Sequence, residues 1–142
     1  MLTKVTFFIF NNNSLDEYLI YTCRVIEKIY SKNHKIHIHT KNQEEAQNFD
    51  TRLWTFSDIS FIPHKIHNSN STLNIPIIIG YKNSAPQHRD TLINLSTEVF
   101  PSYQNFDKLI EIIPHDDQLK DLARKRFQTY KKEGFAIEVF KV

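Results

Sequence analysis

TKVTFFIFNNNSLDEYLIYTCRVIEKIYSKNHKIHIHT, residues 3–40, decides the fold. Its first eight residues, TKVTFFIF, are rich in β-branched and aromatic side chains and short enough for a buried strand. SLDE (14–17) is a capping box, with the Ser14 oxygen placed to accept a backbone N–H three residues on while Glu17 reaches back to the Ser14 amide. From there Leu15, Leu19, Thr22, Cys23, Ile26 and Tyr30 recur at three- and four-residue steps, so they share one helix face toward the sheet. KIHIHT (35–40) is a second strand. NQEEAQNFDTRLW (42–54) is a second helix, capped by Asn42 with Glu45 at its third position. Strand, helix, strand, helix is the opening of a parallel α/β sheet.

The rest of the chain continues that pattern. FIPHKI (61–66) is a short strand or edge segment, interrupted by Pro63, which cannot donate a ladder hydrogen bond. HNSNSTLN (67–74) is a loop. IPIIIGY (75–81), TLINLS (91–96) and KLIEIIP (108–114) are strands, with KNSAPQHRD (82–90) as a turn-rich connection before the second. A last helix runs from about Asp116 to Glu133 and stops at Gly134, a natural residue for the position after a helix cap. FAIEVFKV (135–142) supplies a final strand. Residues 1–142 therefore read as one α/β domain of three layers, a mostly parallel sheet with helices on both faces.

Composition narrows the function. Eighteen basic and sixteen acidic residues leave a net charge of +2, too even for a protein that holds polyanions by bulk charge. Any electrostatic role is local. Two glycines, Gly80 and Gly134, are too few for a backbone phosphate cradle, and neither G-x-G-x-x-G nor a P-loop is present. No cofactor is expected. A single cysteine forms no internal disulfide, and no apolar run approaches the roughly 18 residues of a membrane span. The chain reads as soluble and cytoplasmic.

Catalytic and metal readings find little support. His37 and His39 share one side of their strand, a spacing that zinc sites use, but no C-x-x-C or H-E-x-x-H accompanies them. They read as polar residues on a partly exposed face. Cys23 lies on the apolar face of the first helix, where a small buried thiol is the ordinary explanation. Asp116 and Asp117 fit a helix first turn on the macrodipole alone. A small hydrolase using His and Asp on the sheet is the weakest of the classes weighed.

Two features stand out. LWTFSDISFIPH (53–64) places Trp54, Phe61 and Pro63 in and after a helix end, in residue types shared by cores and interface hot spots. LKDLARKRFQTYKKEGF (119–135) is the second. At about 100° per residue, Leu122, Ala123, Arg126 and Tyr130 cluster with Leu119 toward the sheet. Lys120, Arg124, Phe127 and Lys131 fall on an adjoining stripe, with Gln128 at its outer edge. Three readings of that stripe stand open: a solvated basic face, a stacking track for single-stranded nucleic acid, or a dock for an acidic peptide ending in an apolar residue. Arg126 points inward and needs a carboxylate or carbonyl partner there.

LW (53–54), FIPH (61–64), RDTLINL (89–95) and IIPHDDQLKDLARKRFQTYKKEGF (112–135) together resemble, in order and spacing, the chi subunit of bacterial DNA polymerase III. The last helix, with its L-K-x-L-A-R-x-R-[YF]-x-x-Y run, is the most specific part. The resemblance implies a Rossmann-like fold without nucleotide chemistry and a non-catalytic adaptor role in DNA replication. It implies one surface for the psi subunit of the clamp-loader complex and another for the acidic, phenylalanine-ended C-terminal tail of single-stranded DNA-binding protein, so that DNA is reached only indirectly. Carried over by residue, the tail site is Lys120, Arg124 and Phe127 with Ile113 as apolar floor. Gln128 stands where a relative has a lysine, and Lys131 is near enough on the wheel to replace some of that lost charge. The psi surface is Trp54, Phe61 and Pro63, and a Rad3-like helicase is expected to compete for it. Direct single-stranded nucleic-acid binding is the alternative.

Overall fold

In a computed structural model of the chain, residues 3–56, 62–67, 75–82 and 89–142 are described. Strand β1 (Lys4–Ile9) leads through helix α1 (Leu15–Ser31) to β2 (Ile36–Thr40), and helix α2 (Gln43–Thr55) leads to β3 (His64–Ile66). Strands β4 (Ile77–Tyr81), β5 (Thr91–Asn94) and β6 (Lys108–Ile113) follow, then helix α3 (Asp117–Lys132) and β7 (Ile137–Lys141). Among the described residues the sheet has the order β3-β4-β2-β5-β6-β1-β7, and every pairing is parallel. All but the first residue of the loop expected at 67–74, and most of the 82–90 connection, lie outside the described residues.

Strand periodicity divides the core in two. Ile36 and Ile38 of β2, Ile77 and Ile79 of β4, and Ile110 and Ile112 of β6 pack under α1 and α2 with Cys23, Ile26, Phe49 and Leu53. Val5 and Phe7 of β1 and Leu109 and Ile113 of β6 pack on the opposite face with Ala123 and Tyr130 of α3. Alternate side chains of one strand thus serve both layers, and the three-layer α/β arrangement stands. The second layer also contains Phe100, Tyr103 and Phe106, from the segment joining β5 to β6, which carries a short 3₁₀ turn at Tyr103–Asn105.

Local chemistry sets the helix ends. Asn42 accepts from the Glu45 amide at 2.9 Å, as its capping role requires. Ser14 accepts from the Glu17 amide at 3.2 Å, but the reciprocal half of the expected box goes elsewhere. The Ser14 amide donates to Asn12 Oδ1 at 2.7 Å, and Glu17 accepts instead from the Asn12 side-chain amide. Leu15 departs further from expectation: it is 67% exposed, and Tyr18 is buried in its place. Leu15, in the first turn of α1, lines a cleft instead of entering the core.

Helix α3 is delimited most sharply. Asp116 accepts from the Leu119 amide at 2.9 Å. At the other end Gly134 has φ +92°, its amide donates to Lys131 O, and the Phe135 amide donates to Tyr130 O, both at 3.1 Å. That pair of bonds is a Schellman closure. A β-carbon at Gly134 would meet nothing within 4 Å, so glycine is needed there for its backbone conformation and not for space. Asp116→Ala should lower stability by about 1 kcal/mol, read from urea melts, through loss of the cap and of a negative charge at the helix N-terminus.

Candidate functional site

Helix α3 crosses the sheet face with Ala123, Arg126 and Tyr130 buried against it. Arg126 finds its partner in Glu111 of β6. Its Nε and Nη2 donate to the carboxylate at 3.1–3.2 Å and Nη1 donates to Thr97 O at 2.9 Å. Tyr130 donates its hydroxyl to Glu111 Oε2 at 2.6 Å, and Asn94 donates an amide N–H to the same oxygen at 3.1 Å. Burial pushes the Glu111 carboxyl up, while Arg126, Tyr130 and Asn94 all hold it back by favouring the charged form. The network pins the rotation of α3 and thereby its outward face.

On that face lies a groove of about 540 Å³ between α3 and the carboxyl ends of β6, β1 and β7. Ile113, Lys120, Arg124, Phe127 and Gln128 all line it. Ile113 is buried and forms the floor with Phe7, whose ring meets that of Phe127 edge-on at 5.5 Å. Lys120 is half-buried and lies 2.9 Å from His115 Nδ1; Arg124 is exposed and pairs with Asp121 one turn earlier. Lys131 is exposed and does not line the groove, whereas Val139 and Lys141 of β7 do. A strand brings Lys141 to the site from beyond the helix, so no helical wheel contains it. An alternating strand at the chain end, ending in lysine, was the only available hint.

The second expected surface is partly in view. Trp54 is 49% exposed at the end of α2 and its ring lies 4.5 Å from that of His64, at the β3 edge. Pro63 beside it is half-buried. His64 Nδ1 is 2.6 Å from Ile62 O and Nε2 is 3.2 Å from Asp50 Oδ1, which fixes the ring under the indole. Phe61 lies outside the described residues.

The histidines of β2 correct the sequence reading. His37 and His39 are buried, at 0% and 8% exposure, against Phe100 and Phe106. The face expected to be partly open is covered by the β5–β6 segment. Among the described residues no three His, Cys, Asp or Glu side chains gather to hold a metal ion. Burial raises the Cys23 thiol to about 12, which leaves it protonated and a poor nucleophile.

A larger cleft, of about 740 Å³, opens at the carboxyl ends of β2, β5 and β6, between α1 and α2. Parallel α/β proteins bind nucleotides in such crevices, but the β1–α1 turn here, FNNNS (10–14), has no glycine to admit a phosphate. The molecule is thus an α/β protein with a cationic, aromatic-lined groove. The family model described as DNA polymerase III chi subunit, HolC, matches residues 2–138, and the chain belongs to that family.

The chi subunit of Pseudomonas aeruginosa is 26% identical over 137 residues, covering 96% of this chain and 95% of that one. Those of Haemophilus influenzae and Escherichia coli are 30% and 26% identical, covering 80% and 94% of this chain and 79% and 95% of theirs. The crystal structure of T4 UvsW shares the fold with a TM-score of 0.72 at 9% identity; the match covers 99% of this chain and 41% of that one. Family membership makes this chain an accessory, non-catalytic subunit of a replicative DNA polymerase. No helix among the described residues is long and apolar enough to cross a membrane.

Proposed function

We propose that this chain is a replication adaptor whose α3 groove binds the acidic C-terminal tail of single-stranded DNA-binding protein and whose Trp54, Phe61 and Pro63 surface binds the psi subunit of the clamp-loader complex. The observation that carries the first part is the union of apolar surface, Ile113 and Phe127, with Lys120, Arg124 and Lys141 in one groove. Carboxylates pair with the cations while a terminal apolar side chain is desolvated beside Phe127. Gln128 removes one cation from this arrangement and Lys141 brings another. A Rad3-like helicase would compete with psi at the second surface.

Direct binding of single-stranded nucleic acid is the second reading, and it is disfavoured because Phe127 is half-buried against Phe7, which limits the ring area available for base stacking. In a titration, an acidic peptide ending in Pro-Phe should bind with salt-sensitive, micromolar affinity, and Arg124→Ala should weaken it about tenfold. Equal binding by the variant refutes the site. Tight binding of an oligonucleotide at low salt without any partner moves the assignment to nucleic acid. Trp54→Ala should retain the peptide and lose psi.

A further inference from the structure

We infer that the outer edge of β7 is a second part of the tail site, where the residues upstream of the anchored end add to the sheet as a parallel eighth strand. The inference rests on the tail-binding reading of the α3 groove. Among the described residues, β7 ends the sheet order and pairs only with β1. The side of β7 that meets β1 is set by its end bonds: the Val5 amide donates to Ala136 O, the Val142 amide to Ile9 O, and the Asn11 amide to Val142 O. In a parallel strand the N–H and C=O of one residue point the same way and alternate along the chain. The even positions are therefore engaged by β1, and Ile137, Val139 and Lys141 direct their amides and carbonyls outward.

An open edge of that kind is a template for strand addition, and natural proteins commonly blunt it. This one carries Val139 and Phe140, which are 46% and 45% exposed. Its occupant follows from continuity. Val139 and Lys141 line the groove itself, so a chain leaving the Ile113 and Phe127 end reaches the β7 edge without crossing solvent. Helix α3 runs back over the sheet after β6 and returns the chain to the start of β7, so Lys131, a turn beyond Phe127, lies toward the amino end of that strand. It continues the cationic line past the groove and meets upstream carboxylates there. A peptide whose last residue sits near the carboxyl ends of the strands then runs in the same direction as β7.

Amide exchange on the full chain, with and without the acidic Pro-Phe peptide, tests this. The Ile137, Val139 and Lys141 amides should slow at least tenfold on binding, with Glu138 and Phe140 little changed. Peptides N-methylated one residue at a time should show an alternating loss of affinity upstream of the anchor, a pattern that side-chain contacts do not produce. Arg124-dependent binding with no protection at β7 and a flat methylation scan overturns the strand and leaves the groove assignment standing. No peptide binding at all overturns both. Protection of the same amides without peptide, rising with protein concentration, assigns the edge to a second copy of this chain and also overturns the inference.

Discussion

Arg126→Met should destabilise the fold by about 3–5 kcal/mol, the cost of leaving one partner of a buried ion pair behind. Arg126 is 6% exposed and Glu111 is fully buried. Methionine fills much of the arginine stem's volume but leaves the Glu111 carboxylate with only Tyr130 and Asn94 as donors. Burial already pushes that carboxyl up, so without the guanidinium it takes a proton on folding, and the variant's stability should fall as pH rises. Urea melts at two pH values read both effects.

Pairing Arg126→Met with Glu111→Leu removes the stranded charge, and the double variant should be more stable than the single one. A single-variant loss below about 1 kcal/mol would mean that the pair contributes little beyond its packing. The functional consequence is directional. Because the network sets the rotation of α3, the Arg126→Met protein that remains folded should bind the acidic peptide less well, although Arg126 lies on the buried face and not on the cationic stripe itself.

The parts of this fold that were legible in sequence are the locally determined ones. The cap at Asn42, the start of the last helix near Asp116, the glycine closure at 134 and the apolar strand runs are short-range arrangements, and each forms where its residues stand. What was hidden is non-local. The sidedness of β2 depends on Phe100 and Phe106, sixty residues away in a connection with no strong period, so HIH looked like an open polar face. Glu111 was visible as an acid inside the apolar run KLIEII, and Arg126 as a cation on an apolar helix face. Only the crossing of α3 over β6 joins them. The groove residues on α3 came from one helical stripe, and the resemblance added Ile113 from β6. Lys141 entered only with the pairing of β7 to β1, and Lys131 does not line the groove.

Between pH 7 and pH 5 His39 alone should withdraw about 2 kcal/mol of stability. Burial drives its imidazole down to about 4 in the folded chain, while an unfolded histidine titrates near about 6.5. In the interval the unfolded chain binds a proton that the folded chain refuses, so stability falls as pH drops through 6.5 and levels off below 4. The ring sits edge-on to Phe100 at 4.8 Å, and its Nδ1 has no hydrogen-bond partner among the described residues, so nothing there stabilises an imidazolium. Glu111 acts with the opposite sign, because a carboxyl raised by burial is protonated more readily in the folded chain. Comparing wild type with His39→Gln removes that contribution, since both proteins carry Glu111. The variant's melts should lose about 2 kcal/mol less than wild type between the two pH values. Equal losses would show that His39 is solvated enough to titrate normally, and that Phe100 does not seal this face of β2.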